Sequence, residues 1–188
     1  MIDFFEKLDQ KLLLLINGIH FDWLDPIMKF VSSNWLWFSI IALFISLSIV
    51  YYKKKFWVPI VFAILCYVLT ENGSHFCKET VKRYRPTHNL EIGSQVHTVD
   101  NYRGGKYGFF SGHAADGFGL ALITLLFIRK KFYTIIVISW TVIVSYSRMY
   151  LGVHYPFDVF CGMIWGLISA TAVFLLYKRL KIKIKYLT

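Results

Sequence analysis

The chain has 188 residues and a mass of 22.0 kDa, enough for one domain, and with 56% hydrophobic residues and a mean hydropathy of +0.51 it is too apolar for an ordinary water-soluble globule. Its formal charge of +10 would suit an anionic partner such as nucleic acid, but runs such as Trp35 to Tyr52 carry no charge at all, so the basic residues must gather at the ends of apolar segments. Cys66, Cys77 and Cys161 lack metal-type spacing, and neither a disulfide nor a zinc site is expected.

Residues 1–34 come first and differ from the rest. Phe4, Phe5, Leu8, Leu12, Leu15 and Ile16 recur at helical spacing beside Asp3, Glu6, Lys7, Asp9 and Lys11, the pattern of an amphipathic helix in the membrane interface. A sixth, short span is the alternative. Acids within Met1 to Glu6 and the interruption at Lys11 do not fit a cleavable leader, so these residues are read as part of the mature protein. A turn near Asn17 and Gly18 and a short helix around Pro26 to Val31 complete an interfacial collar.

Five segments then satisfy the length and apolarity needed to cross about 30 Å of hydrocarbon at about 1.5 Å per residue. They are Trp35 to Tyr52, Phe56 to about Cys77, Ser111 to Ile128, Phe132 to about Ser145, a short span that can finish in the interface with Tyr146 or Met149, and Phe157 to Tyr177. Gly162 and Gly166 in the last have the four-residue spacing that permits close helix contact. The expected fold is an all-α polytopic membrane bundle of five transmembrane helices, with the collar at 1–34, a transmembrane domain at 35–177 and a basic cytoplasmic tail at 178–188.

Orientation follows from the cations. Lys53 to Lys55, Arg129 to Lys131, and Lys178, Arg179, Lys181, Lys183 and Lys185 follow the first, third and fifth spans, which puts all three clusters on one, cytoplasmic side. The opposite side holds the loop from Glu79 to Phe110 and the turn from Ser147 to Pro156. It retains Lys78, Lys82, Arg83, Arg85, Arg103, Lys106 and Arg148 despite the bias against exporting positive charge, which points to an anion bound there.

Three stretches converge on that outer side. In Lys78 to Pro86, Lys78 and Arg85 stand seven apart and return to one face of a helix, where a phosphate could bridge them; alone, the stretch reads rather as cations snorkelling to water. Phe110-Ser111-Gly112-His113 opens the third span. Its Ser111 and Gly112 can leave backbone N–H groups free for an oxyanion at the positive end of the helix dipole, and His113 can protonate a leaving oxygen; the plain alternative is a Ser cap with an incidental histidine. In the stretch from Ser147 to Asp158, a helix with Pro156 in its first turn would set Asp158 one turn from His154, holding one ring nitrogen and freeing the other to attack. Arg148 adds a third cation. No cluster of carboxylates suggests magnesium, so the chemistry is expected to need neither metal nor cofactor.

These residues resemble the three signatures of the type 2 phosphatidic acid phosphatase (PAP2) superfamily, which includes acid phosphatases and vanadium haloperoxidases, in order and internal spacing, across about residues 35 to 177. The resemblance implies that Lys78, Arg85 and Arg148 bind phosphate with Ser111 and Gly112 assisting, that His154 forms a phosphohistidine oriented by Asp158, and that His113 protonates the leaving group. One departure is Phe110, where the family often has proline.

The remaining candidates are weaker. His20, His75, His88 and His97 lack the spacing of metal ligands and read as loop or interfacial histidines. Trp23, Trp35, Trp37 and Trp57 fit an aromatic belt rather than a stacking platform for bases. Glu71 and Asn72 either support the pocket or simply mark the interface. The expectation is a multi-pass enzyme of the bacterial inner (plasma) membrane, acting from the periplasmic or extracellular side. Its partners are the bilayer and a lipid phosphate, with no nucleic acid and with the oligomeric state open. The resemblance leaves undecaprenyl pyrophosphate, lipid A phosphates and phosphatidylglycerol phosphate or phosphatidic acid as substrates, with a haloperoxidase or a non-catalytic lipid-phosphate binder as other classes.

Overall fold

The computed structural model describes residues 2–185, so the last residues of the expected basic tail, 186–188, lie outside the described residues. Within that range the chain forms α1 (Ile2–Gly18), α2 (Asp25–Val31), α3 (Asn34–Tyr52), α4 (Trp57–Val81), α5 (Gly112–Ile128), α6 (Lys131–Tyr150) and α7 (Pro156–Lys185). Short 3₁₀ turns follow α3 at Lys53–Lys55 and precede the long loop at Pro86–His88.

Helices α3, α4, α6 and α7 are long and apolar enough to cross a membrane, whereas α5 is apolar but shorter. It is also the most enclosed helix, packed by α4, α6 and α7. Two expected bounds shift outward. The fourth apolar segment continues to Tyr150, and the last does not stop at Tyr177 but stays helical to Lys185, about 45 Å in all at about 1.5 Å per residue.

The centre of the bundle is the seam between α5 and α7, where Gly162 lies against the Ser111 carbonyl and Gly166 against the Ala115 carbonyl and Gly119. With no Cβ between them, the two backbones approach as small-residue membrane helices do. At one end, Tyr177 packs ring on ring against Phe62, Phe127 and Phe174 with centroids 4.9 to 5.7 Å apart. The Tyr52 hydroxyl donates to the Phe127 carbonyl at 3.0 Å beside them. The Lys53 and Arg129 clusters share this end; the functional stretches meet at the other. Among the long apolar helices, α3 touches its neighbours most sparsely, and a groove runs along its inner flank.

Helix α1 is amphipathic as read, but with a revealing orientation. Phe4, Phe5, Leu8, Leu12 and Leu15 are exposed, while Asp9, Gln10 and Asn17 are buried against the protein along with Leu13. The apolar stripe thus faces outward, as a lipid-contacting helix requires, and polar side chains carry its contacts with the bundle. Asn17 donates to the carbonyls of Tyr150 and His97 and accepts from the His97 N–H at 2.7 Å. His97, read as a loop histidine, stacks on His20 and meets Asp25 at 3.0 Å, tying the long loop to α2.

Candidate active site

The chain builds the site from four helix ends. Helix α4 stops at Val81 because Lys82 adopts a left-handed φ of 52°, its N–H closing on the Lys78 carbonyl. Lys78 therefore lies in the last helical turn, whereas Arg85 lies beyond it in an extended segment paired through Tyr84 and Tyr107. The expectation that Lys78 and Arg85 share one helical face is thus corrected: the two cations meet because the chain turns back, not because of helical period. Arg85 is held by Nε donating to the Tyr107 carbonyl at 3.1 Å and by its own N–H on the Lys106 carbonyl at 3.1 Å. Gly104, at φ +65°, lets the loop cross it, since a Cβ there would come within 2.7 Å of the guanidinium.

Ser111 caps α5, its Oγ accepting from the Ala114 N–H at 3.4 Å. The Ser111 N–H is spent on the Asp158 carbonyl at 3.0 Å, and Ser111 is fully buried behind the cavity wall. The oxyanion cradle expected from Ser111 and Gly112 is corrected to this extent: the Ser111 N–H is not free for it, whereas Gly112 and His113, in the first turn of α5, line the cavity.

Arg148, at the end of α6, is only 2% exposed. It reaches the Ser32 hydroxyl from the α2–α3 turn and the Tyr102 hydroxyl at 3.4 Å, while its Nε has no partner among the described residues. His154 follows α6 in a tight turn and is buried, with Asp158 in the first turn of α7. Asp158 Oδ2 accepts the Tyr155 N–H at 3.0 Å and stands 3.6 Å from His154 Nδ1, a contact beyond hydrogen-bond length until something draws the pair together. Nδ1 faces the carboxylate, so Nε2 is the nitrogen left for chemistry.

Lys78, Arg85, Gly112, His113, Arg148 and His154 line one cavity of about 660 Å³; Ser111 and Asp158 stand behind its wall. Burial, reinforced by Arg85, Arg148 and Lys78, pushes the His154 imidazole well below its ordinary range. Burial, with Arg148 adding to it, brings the Arg85 guanidinium down to about 10. Burial works against ionising Tyr102, yet Arg148 and Arg85 hold its phenol below the usual value. The field is strongly positive, and an anion relieves it.

Of the two residues the sequence left open, Glu71 lines the cavity near Lys78, whereas Asn72 is exposed and bonds its own helix at Val68. Sequence reasoning missed other neighbours. Asp116 also lines the cavity, accepting from the Thr70 hydroxyl at 2.6 Å; its signal was an acid inside an apolar helix. Trp37, assigned to the aromatic belt, instead packs edge-on against Trp140 at 4.6 Å and borders the cavity near His113. Trp23, Trp35 and Trp57 are exposed, as belt residues should be. Among the described residues, no group of three His, Cys, Asp or Glu side chains is placed to hold a metal ion.

Below the polar end, the same cavity continues between α3, α4, α5 and α6 past Phe44, Ile60, Ala63 and Val137 to Tyr133. Tyr133 and Arg148 lie on one helix, so the groove descends about 22 Å at about 1.5 Å per residue.

Comparison with known proteins identifies the family. The family model of the PAP2 superfamily matches residues 56–182. A lipid A 4'-phosphatase of Porphyromonas gingivalis is 37% identical over 180 residues, which is 94% of this chain and 75% of that protein. A lipid A 4'-phosphatase of Bacteroides thetaiotaomicron is 34% identical over 169 residues, 88% of this chain and 75% of that protein. The crystal structure of Aquifex aeolicus LpxE superposes with a TM-score of 0.69 at 24% identity, covering 87% of this chain and 93% of that one, a likeness of fold.

Proposed function

Since this chain belongs to the PAP2 superfamily and is a membrane lipid phosphatase of it, we propose that it removes phosphate from lipid A, working through a phosphohistidine at the outer face of the bacterial inner membrane. The observation that carries this reading is the single cavity in which a cationic, histidine-bearing end opens directly into an apolar groove. A soluble phosphate ester has no use for the groove; a lipid fills both ends.

Lys78, Arg85 and Arg148 clamp the phosphoryl oxygens, and the Gly112 and His113 N–H groups receive one of them. His154 Nε2 attacks phosphorus while the bond to the leaving oxygen breaks, and His113 gives that oxygen its proton. Asp158 holds Nδ1 and stabilises the charge on the ring. Water then attacks phosphorus, the P–N bond breaks and His113 takes the water's proton. The cations do the work a metal would do elsewhere, so no metal enters the scheme.

Purified protein in detergent containing chelator is expected to release inorganic phosphate from lipid A faster than from polyprenyl pyrophosphate or phosphatidylglycerol phosphate. A preference for either of the others would overturn the substrate, and loss of release with chelator would overturn metal independence.

On this reading α3 to α7 all span the bilayer, α1 and α2 form a collar, the three lysine and arginine clusters face the cytoplasm and the cavity mouth opens outside. Gly105 is exposed at the mouth with open space around it. In intact cells Gly105→Cys is expected to react with an impermeant maleimide and Lys54→Cys to be protected. The reverse pattern would invert the orientation.

A further inference from the structure

Arg83 was counted among the outer cations that attract an anion, but its charge is already committed. One guanidinium nitrogen, Nη1, meets Asp158 Oδ1 at 2.7 Å, and the other, Nη2, meets Asp9 Oδ2 at 2.7 Å. The guanidinium plane also lies over the Tyr155 ring, 4.0 Å from Cζ to the centroid. Asp9 is 6% exposed and Asp158 is fully buried. The second oxygen of Asp9, Oδ1, accepts the Phe157 N–H at 3.0 Å, in the first turn of α7. The catalytic cavity is lined by Lys78, Arg85, Arg148 and His154, but not by Arg83, Asp9 or Asp158. Arg83 therefore stands on the far side of Asp158 from the histidine.

We propose that Asp9 and Arg83 are positioning residues that aim the Asp158 carboxylate at His154, so that the N-terminal helix is part of the catalytic apparatus rather than only a membrane collar. Asp158 has two oxygens with different tasks: Oδ1 is fixed by Arg83, and Oδ2 is turned toward His154 Nδ1 and the Tyr155 N–H. Arginine suits this place because its rigid fork can bind two carboxylates at once, which the point charge of a lysine does less well. Asp9 balances the cation and, through Phe157, pins the start of the helix that carries Asp158. Buried ion pairs contribute little net stability, so the arrangement is better explained by the geometry it imposes than by the energy it adds. The inference rests on His154 as nucleophile and Asp158 as its orienting partner.

The test uses Asp9→Asn, Arg83→Gln and Arg83→Lys in the full-length protein, each alone and combined with Asp158→Asn. Readouts are kcat and KM for the lipid, affinity for inorganic phosphate, and melting temperature in detergent. Asp9→Asn and Arg83→Gln are expected to lower kcat about tenfold to a hundredfold, with KM and phosphate affinity within about threefold, and Arg83→Lys to recover part of the loss. In the Asp158→Asn background the same changes should cost less than about twofold more, because the group they position is gone. Unchanged kcat in Arg83→Gln, full additivity with Asp158→Asn, or weakened phosphate binding at constant kcat would each overturn the relay. Where Arg83→Gln lowers the melting temperature, the isosteric Asp9→Asn and the charge-conserving Arg83→Lys decide. If Asp158→Asn itself keeps full kcat, the assigned role of Asp158 fails; if it is slow while Arg83→Gln and Asp9→Asn are not, only the relay fails.

Discussion

His154→Gln is expected to lower phosphate release by about 10⁴-fold or more while leaving the protein folded and phosphate bound, since loss of a nucleophile removes the reaction path rather than one contact along it. Glutamine keeps much of the side-chain volume in a site where His154 is 1% exposed, so packing should survive. Lipid KM and the melting temperature separate this outcome from misfolding, and activity near that of the parent protein would sink the phosphohistidine. The same residue gives a pH prediction whose sign can be worked out. The attacking form is the neutral imidazole. Burial and the cations Arg85, Arg148 and Lys78 push its pKa well below the ordinary histidine range, so the neutral form persists as pH falls through that range. The acid limb of kcat/KM attributable to His154 should then lie below the ordinary histidine value, and removing Arg85 should move it upward. Because a phosphate monoester titrates nearby, the cleaner measurement is histidine-selective NMR: the resonance missing from His154→Gln should keep its neutral shift below pH 6.5. A midpoint at or above that value would contradict the field described for the site.

Gly166→Val is expected to be nearly as damaging by another route. A Cβ at this position runs into the Ala115 carbonyl and comes within 2.8 Å of Gly119 N, and backbone on α5 cannot swing aside as a flexible side chain can. Overpacking of this kind costs about 3 kcal/mol or more. Separating α5 from α7 would also pull His113 away from His154, since one helix carries His113 and the other follows directly on His154. Little monodisperse protein should elute in size-exclusion chromatography, and any that does should melt far below the parent. Gly18→Ala is the control, because a Cβ there meets nothing within 4 Å. A Gly166→Val protein with parental melting would show that the seam is looser than drawn.

Much of this was legible in the sequence because a membrane restricts the choices. Uncharged runs had to be helices, the lysine and arginine clusters had to share a side, and the pair Gly162 and Gly166 pointed to the tight seam before any partner helix was known. The three stretches around Lys78, His113 and His154 were legible as one candidate site because each ends or begins an apolar run. What escaped depended on turns and on contacts across the chain. Helical period carried Lys78 to Arg85 on one face, yet the left-handed Lys82 ends the helix between them, a conformation unusual for a residue with a Cβ. Asp9 resembled any solvent-facing acid of an amphipathic helix, and only the outward orientation of Phe4, Phe5 and Leu8 shows that it points inward. Arg83 was hidden by the cations around it. Trp37 matched the residue type and depth of a belt, and periodicity could not tell a wall of the cavity from a ring facing lipid.

The groove beside α3 has a consequence for how such an enzyme must be measured. Lifting a lipid into water costs about 0.8 kcal/mol for every methylene exposed, and a substrate that slides sideways into the cavity never meets that cost. Encounter is then a search in two dimensions. The concentration that saturates the enzyme is a mole fraction within the surface, and adding inert detergent or lipid at constant bulk substrate slows turnover by dilution alone.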